Sequence, residues 1–583
     1  MIKNTQRAQH APRTQRKHDA QRTVRKSLDS EPVLRFCPLG GFEEIGRNCV
    51  FFEYKNEIVI VDVGIQFPEE ETPGIDYIIP NVSYLEPKKK NIKGIILTHG
   101  HYDHIHAIPY LIEKLGNPII YTAALTKALV EKRMEEFPNL PKPRFQVVKH
   151  ADEVTISENF KAKFFDIGHT IPDGVGFVMN TPAGKMTHFG DFRVERDAKG
   201  EPYNLEVYEA LGKMDIHTAF IDSTNADVAG KSISEETVQK NLEDLFKQAE
   251  GRIIVATFAS LLSRVVAIFN IAEKLGRKVA LNGRSMKDNV QIAKNLGYIK
   301  AAKNLLITVE EIQKYKDDKV IILTTGGQGE PNAGLNKIAQ GEHKNLRFKS
   351  TDTVIFSSSV VPGNERSVQM LQDNISRQVN EVFNSKLLDI HASGHSPKED
   401  LALIMKLVKP RFIVPANAYY FKRKACAKIA LSMGYSKDHA VLVDNGQICE
   451  ITKDNFKPTS EKVPVNYVMV DGLGVGDVEE VVLRDRLMLS EEGMVVVIAT
   501  IDRQTGKLIK NPDIISRGFI FLKENKTLLD DIRNKLKNVL IRIPFHQKPD
   551  PDYIKGLIRD QIGQLLWNKT KRRPMILPVL IEI

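Results

Sequence analysis

The stretch ILTHGHYDHIH at residues 96–106 constrains the fold of this chain more than any other. Five ligand-type side chains fall within eight positions of it: His99, His101, Asp103, His104 and His106. They follow the apolar run of residues 94–97, which predicts a short buried strand with the cluster in the loop at its carboxyl end. A solvated histidine-rich loop is the plainer interpretation, but so dense a set of imidazoles and carboxylates favours a site for zinc or manganese.

Length and composition bound the class of protein. A chain of 583 residues is too long for one core, and we expect roughly three or four domains of about 150 residues each. The formal net charge of +10 favours a polyanionic partner. The four cysteines are scattered, as in a reduced protein, and neither a membrane span nor a secretory signal stands out. These features predict a cytoplasmic location and no membrane association.

The chain divides by composition and pattern. Residues 1–32 are rich in Arg, Lys and Gln, which predicts a disordered basic extension, either touching nucleic-acid phosphates or serving as a solubilising tail. Strand-like segments follow, and from about residue 232 helices and strands alternate as in a parallel sheet. Ligand-type chemistry returns after residue 385, so we expect the alternating segment to be inserted into the first domain. The predicted division is 33–231 and 386–450 for the first domain, 232–385 for the insertion, 451–462 for a linker, and 463–583 for a C-terminal α/β unit.

Three further apolar segments end in a ligand-type residue, namely Asp62, His169 and Asp191. With the HxHxDH string, this ordered series resembles the signature of the metallo-β-lactamase fold, an αββα sandwich that holds two metal ions. The resemblance implies that His99, His101, His169 and Asp191 hold one ion, and that Asp103, His104 and the bridging Asp191 contribute to the other. It implies that Asp62 orients the ligands, with a turn aspartate as the alternative.

The chemistry of such a site has a physical basis. Two neighbouring cations lower the pKa of a shared water and neutralise the charge of a phosphodiester and its transition state. Zn²⁺ is the expected ion, with Mn²⁺ or Mg²⁺ as alternatives at the second site.

The inserted segment resembles the β-CASP domain of nucleases. IDSTNA supplies Asp222 and HASGHSPKED supplies His395, the positions of that group's two motifs. The resemblance makes His395 the candidate general acid, held by Asp222 beside the catalytic Asp191. A buried core histidine is the alternative for His395.

Most of the chain from residue 33 is similar to bacterial ribonuclease J, through LGGFEEIGRN, TTGGQGEP, SSSVVPGNE, VMVDGLGVGDV and TKRRPMILP. That family implies a 5′-to-3′ exoribonuclease that also cuts internally and prefers single-stranded RNA with a 5′-monophosphate, in RNA maturation and mRNA decay. It also implies a homo-oligomer, dimer or tetramer, through the C-terminal unit, and other RNA-decay proteins as further partners.

The family's 5′-phosphate pocket maps onto small and polar residues of this chain. Hydroxyls and backbone N–H groups in such loops suit a phosphate dianion, although serines there could simply satisfy turns. The positions carried over are Ser358, Ser359, His391, Ser393 and Gly394, with Arg284 as a weaker candidate.

Three positions depart from the family pattern. Asn417 in VPANAYY stands where the family has a histidine that binds the second metal. An amide oxygen is a weaker ligand than imidazole for borderline metals, which predicts a loosely bound second ion. Ser263 replaces a histidine before Arg264. His106 replaces a glycine and is expected to be a loop imidazole facing solvent, with compensation for the lost imidazole near the metals as the alternative.

Two functional hypotheses follow. The intact HxHxDH string, His169, Asp191 and His395 favour an active ribonuclease, whereas Asn417 favours a weakened paralogue that acts as an RNA-binding or structural subunit. A small-molecule hydrolase of the same fold is disfavoured by the insertion and the basic charge.

Overall fold

The structure is a computed structural model. The basic extension predicted at residues 1–32 lies outside the described residues. Those described are 33–68, 72–361, 363–472, 474–476, 480–504, 507–520, 525–541 and 550–583.

The first domain opens with strands rich in β-branched and aromatic residues, which fit the pleated, buried face of a sheet. In chain order its elements up to residue 222 are β1 (Leu34–Gly40), β2 (Cys49–Tyr54), β3 (Glu57–Val61), β4 (Tyr77–Ile79), β5 (Ile92–Ile96), α1 (Tyr102–Ile105), α2 (Ile108–Leu111), β6 (Ile119–Thr122), α3 (Ala124–Met134), β7 (Arg144–Val147), β8 (Glu153–Thr155), β9 (Lys161–Asp166), β10 (Val175–Thr181), β11 (Gly184–His188), α4 (Glu206–Gly212) and β12 (Ile216–Asp222).

The inserted α/β domain follows. Its elements are α5 (Glu235–Gln248), β13 (Ile253–Ala256), α6 (Leu262–Lys274), β14 (Lys278–Asn282), α7 (Arg284–Asn295), β15 (Leu306–Ile307), β16 (Val320–Thr324), α8 (Gly334–Ala339), β17 (Thr353–Phe356), α9 (Glu365–Ser376) and β18 (Glu381–Asn384). The strands form one parallel sheet in the order β15-β14-β16-β13-β17-β18. Strands such as VIILT in β16 are buried throughout and almost entirely apolar because helices cover both faces of a parallel sheet. The side chain of Ser234 accepts the N–H of Glu236 and so starts α5.

The chain then returns to the first domain and completes both of its sheets. The returning elements are α10 (Lys398–Val408), β19 (Phe412–Ala416), α11 (Tyr420–Ser432), β20 (Gln447–Ile451) and β21 (Phe456–Lys462). One sheet has the order β21-β20-β1-β2-β3-β5-β6-β7, and the other β19-β12-β11-β10-β9-β8. The second domain is therefore an insertion, as the sequence predicts.

The two sheets pack face to face, with helices outside. Phe36 and Phe52 of the first sheet meet Phe220 of the second, with ring centroids 4.4 and 5.5 Å apart. Helices α1 to α3 cover the outer face of the first sheet, and α4, α10 and α11 cover the second. This confirms the predicted αββα sandwich.

The linker predicted at residues 451–462 is wrong. Residues Phe456–Lys462 form β21, which pairs with β20 at the edge of the eight-stranded sheet, and Phe456 is buried in the sandwich core. Its polar composition and Pro458 suggest a linker, but an edge strand needs few apolar residues and tolerates proline.

The C-terminal unit has its own small core. The elements after residue 463 are β22 (Val468–Asp471), β23 (Gly474–Val475), α12 (Glu480–Glu492), β24 (Met494–Ile501), β25 (Asp513–Arg517), α13 (Lys526–Ile541), α14 (Pro551–Thr570) and β26 (Met575–Glu582). Helices α13 and α14 cover one face of the sheet β25-β24-β26. The unit begins later than the predicted residue 463, because β22 pairs with β4 of the first domain.

Two smaller features complete the fold. All four cysteines are buried and unpaired. Within the described part of the chain, no helix combines the length and the apolar character that crossing a bilayer requires.

Candidate metal centre and active site

The ligand-type residues gather because their strands end at one rim of the sandwich. Strands β3 and β5 run parallel, as do β11, β12 and β19, so the carboxyl ends of each set lie together. The loops after β3, β5, β9, β11 and β19, the last residue of β12 and the segment just before α10 carry the side chains. The residues brought to this rim are Asp62, His99, His101, Asp103, His104, His169, Asp191, Asp222, His395 and Asn417.

The first group consists of three imidazoles and one carboxylate, His99, His101, His169 and Asp191, with one potential ligand atom from each within 4.8 Å of the others. The Nδ1 of His101 lies 3.0 Å from the Nε2 atoms of both His99 and His169. Burial holds the pKa of His99 and His169 well below the usual value and lowers that of His101 to about 4. Neutral imidazoles with ring nitrogens this close together are better suited to coordinate a shared divalent cation than to hydrogen-bond to one another.

The second group is richer in oxygen. It consists of Asp103, His104 and Asp191, again within 4.8 Å, so Asp191 belongs to both groups. The Nε2 of His104 lies 3.2 Å from Oδ2 of Asp191 and 3.5 Å from Oδ2 of Asp103. Burial would lower the pKa of His104, but the charges of Asp191 and Asp103 outweigh it and raise the pKa well above the usual value. A concentration of negative charge that strong is what a bound cation would balance.

Asp62 lies behind the second group. Its carboxylate is 2.8 Å from Nδ1 of His104 and accepts the backbone N–H and the hydroxyl of Thr98. A carboxylate at this position directs the Nε2 of the imidazole toward the group. Asp62 is buried, and its φ of 57° places its backbone in the left-handed region.

A third group joins the inserted segment's two motifs to the same rim. Nδ1 of His395 lies 2.7 Å from Oδ2 of Asp222, and one atom of each lies within 4.8 Å of Asp191. Burial opposes protonation of His395, but the charges of Asp222 and Asp191 outweigh it and raise its pKa to about 9. The neighbouring Gly394 accepts a hydrogen bond from Nδ1 of His169 at 2.8 Å, which turns Nε2 of His169 toward the first group.

Asn417 follows β19 directly and is buried. Its Nδ2 donates a 2.7 Å hydrogen bond to Oδ1 of Asp191. The side-chain amide of Asn417 therefore contacts the shared carboxylate of Asp191 through its N–H group and not through its oxygen.

The residues predicted to bind a 5′-phosphate are only partly gathered. Ser393 accepts a hydrogen bond from Asn225, and His391 is buried with no partner for its Nδ1 among the described residues. Ser358 is buried and Ser359 exposed at the end of β17. Arg284 is exposed at the start of α7, on the same edge of the parallel sheet.

One network was missed at the level of sequence. Arg193, two residues beyond Asp191, donates to Glu235 at 3.0 Å, and Arg264 donates to the other carboxylate oxygen of Glu235 at 2.9 Å. Arg264 also donates to the carbonyl of Ile390 and to Ser357. In this network two buried arginines share the partly exposed Glu235, and it ties the metal rim to the loops of the inserted domain. No local pattern marks it, because its members lie far apart in the sequence.

The structure shows where the two positions lie at which a histidine is gained or lost relative to the family pattern, His106 and Ser263. His106 is buried and stacks on Tyr102 with ring centroids 3.9 Å apart, and burial lowers its pKa to about 3. The prediction of a solvent-facing loop imidazole is therefore wrong: the short helix α1 turns the ring inward. Ser263 is half-buried, and its hydroxyl donates to the carbonyl of Thr170 at 3.4 Å.

This geometry, together with comparisons to known protein families, defines the class of protein: metallo-β-lactamase-fold hydrolases that carry a β-CASP insertion. Family models match residues 43–219 as the metallo-beta-lactamase superfamily, 250–375 as the ribonuclease J beta-CASP domain, and 481–583 as the ribonuclease J C-terminal domain. The chain belongs to the ribonuclease J family.

Individual relatives span nearly the whole chain. It is 34% identical to Ribonuclease J2 of Bacillus subtilis (strain 168), over 96% of this chain and 100% of that protein. It is 37% identical to Ribonuclease J 1 of Streptococcus pyogenes serotype M3, over 93% and 96%. A solved structure, a protein of unknown function from Enterococcus faecalis V583, shares the fold with a TM-score of 0.53 at 16% identity, covering 72% of this chain and all of that one.

Proposed function

We propose that the chain is a metal-dependent ribonuclease that degrades single-stranded RNA from 5′-monophosphate ends, in the 5′-to-3′ direction, and also cuts internally. RNA maturation and mRNA decay in the cytoplasm are the processes it would serve. The observation that carries the proposal is the position of Asp191, which belongs at once to the imidazole group, the oxygen-rich group and the Asp222–His395 pair.

The metal ligands of this proposal are the two groups described above. His99, His101, His169 and Asp191 would hold one ion, and Asp103, His104 and Asp191 the second. When bound, two divalent ions, zinc in the first group and manganese or magnesium as alternatives in the second, would activate a water and neutralise charge on the scissile phosphodiester. Asp62 fixes His104 in the orientation this requires.

The proton needed by the leaving oxygen would come from His395. Asp222 engages Nδ1 of its ring at 2.7 Å, which leaves Nε2 to donate toward the substrate. Asp222 is itself fixed by the backbone N–H and the hydroxyl of Thr224. A core histidine would have no reason to lie within reach of the shared carboxylate.

Recognition of the RNA end is supported by the loop that carries His395. His391, Ser393 and Gly394 precede His395 directly, and four residues span at most about 14 Å. Ser358, Ser359 and Arg284 belong to the facing edge of the inserted sheet. A 5′-phosphate bound among them would therefore lie close to the metal rim, as removal of nucleotides from the end requires.

A homo-oligomer, dimer or tetramer, is part of the proposal, with other RNA-decay proteins as further partners. Leu577, Val579 and Ile581 of β26 are each about two-fifths exposed, along the sheet face opposite α13 and α14. Size-exclusion chromatography with light scattering would give the mass of the assembly.

A second candidate function is favoured by one observation. Because the amide of Asn417 occupies Oδ1 of Asp191, the second ion has one ligand fewer than the family pattern provides. The chain could then act as an RNA-binding or structural subunit beside an active copy.

One experiment separates these functions. The full chain is incubated with Mn²⁺ and either 5′-monophosphorylated or 5′-triphosphorylated single-stranded RNA, beside His101→Ala and the control His439→Ala. His439 lies near the amino end of β19, the end opposite Asn417. Release of mononucleotides by wild type and control, faster from the monophosphate and on the order of 10³-fold slower in His101→Ala, supports the enzyme. Binding of RNA without cleavage supports the subunit.

A further inference from the structure

Main-chain hydrogen bonds hold Asn48 beside the second group. It precedes β2, its N–H donates to the carbonyl of Asp103 at 3.1 Å, and its carbonyl accepts the N–H of Gly64 at 3.0 Å. The residue is buried. The loop that carries Asn48 and the segment that carries Asp103 and His104 are thus tied together by main-chain hydrogen bonds.

The carboxamide of Asn48 faces the ligand atoms of the second group. Its Nδ2 lies 3.0 Å from Nε2 of His104, 3.3 Å from Oδ2 of Asp103 and 3.2 Å from the carbonyl of Asp103. The Oδ1 atom is buried with no hydrogen-bond partner among the described residues. It packs against Gly41, where a Cβ would come within 2.3 Å of it.

A cation in the second group would favour the opposite orientation of the Asn48 carboxamide, with its oxygen facing the ligand atoms in place of its nitrogen. His104 Nε2 and Asp103 Oδ2 would then direct their lone pairs at the ion, and an NH₂ group turned the same way would oppose its charge. A half-turn of the carboxamide exchanges its oxygen and nitrogen with almost no change of shape. That turn gives up the 3.2 Å hydrogen bond to the carbonyl of Asp103, takes Oδ1 out of its unpaired position and presents it to the ion.

We propose that Asn48 is a ligand of the second divalent ion through its carboxamide oxygen. This rests on the metal centre of the proposed function and extends it to a residue that no ligand motif marks. The ligand set becomes Asn48, Asp103, His104 and Asp191, with three oxygens and one nitrogen. Carboxylate and carbonyl oxygens suit Mn²⁺ and Mg²⁺, so such a set accepts these ions as well as zinc.

Asn417 does not share this role. Its amide nitrogen is 2.7 Å from a carboxylate oxygen, a strong charge-assisted hydrogen bond that a half-turn would break. Asn48 instead contacts the two ligands that only the second group uses.

The test is a calorimetric titration of the metal-stripped full chain with Mn²⁺, in wild type, Asn48→Ala, Asn48→Asp and the control Asn445→Ala. Asn445 donates to Glu44 and accepts the N–H of Phe42, so its loss loosens the same loop without touching the cluster. We expect Asn48→Ala to weaken the second, looser ion tenfold or more and to leave the first unchanged. Asn48→Asp should tighten the second ion, and Asn445→Ala should change neither.

Asn48→Asp makes the outcome independent of folding defects. A residue that only donates a hydrogen bond to His104 would lose that donor in the aspartate variant, so the second ion would weaken. The inference is overturned if Asn48→Asp binds the second ion more weakly than wild type does, or if Asn48→Ala binds it as tightly as wild type does. Failure to cleave RNA with normal binding of two ions would instead overturn the proposed function alone.

Discussion

The first and second groups of ligand-type residues form the two halves of the metal rim. They share Asp191 but differ in what surrounds it. The first half converges three imidazoles, while the second has one imidazole, two carboxylates and two neighbouring carboxamides, Asn48 and Asn417. Imidazoles suit zinc, whereas oxygen ligands suit manganese or magnesium. From this difference we expect one tight site and one loose site at the same rim, so that the second ion would exchange while the first stays.

The largest effect is expected from the first half. His101→Ala removes the imidazole whose Nδ1 is 3.0 Å from both neighbours, and we expect loss of the tight ion and a fall in RNA cleavage on the order of 10³-fold. Mass-spectrometric metal analysis and a cleavage assay measure both. Retention of a tight zinc ion with full activity would mean that the first half is not the tight site.

A change outside both halves should separate metal binding from proton transfer. Asp222→Asn removes a charge that raises the pKa of His395, so this pKa falls from about 9. His395 is protonated below its pKa and loses its proton as pH rises through it. The alkaline limb of kcat/KM should therefore move to lower pH, with kcat reduced about 10²-fold.

Metal titration of the same variant is the control. Both ions should bind as in wild type, because Asp222 belongs to neither ligand group. An unchanged pH profile would remove His395 from the proton-transfer role.

A smaller effect should come from restoring the family's ligand in the second half. Asn417→His replaces the amide that occupies Oδ1 of Asp191. The second ion should bind about tenfold more tightly, and less Mn²⁺ should be needed for half-maximal cleavage. Asn445→Ala again serves as the control, and an unchanged Mn²⁺ requirement in Asn417→His would show that the two halves do not differ for this reason.

The sequence predicts the fold and the membership of the rim well for a physical reason. Most of the ligand-type residues come at or just after the end of an apolar strand, and neighbouring parallel strands end at the same rim, so order along the chain translates into position. The same logic predicts the insertion, because the second motif returns after a run of alternating helices and strands.

What the sequence does not reveal depends on pairing and packing in three dimensions that leave no pattern along the chain. The edge strand β21 is recognisable only through its pairing with β20, and His106 is turned inward by packing on Tyr102. Asn48 and the Arg193–Glu235–Arg264 network carry no local pattern, since their partners lie tens to hundreds of residues away.

The difference between the two halves is tested most directly by titrating the metal-stripped full chain with Zn²⁺ and, separately, with Mn²⁺. We expect one tightly bound zinc ion and a second, looser ion that favours Mn²⁺. Two zinc ions of equal, high affinity would contradict the difference between the halves, and no binding of either metal would contradict the metal centre itself.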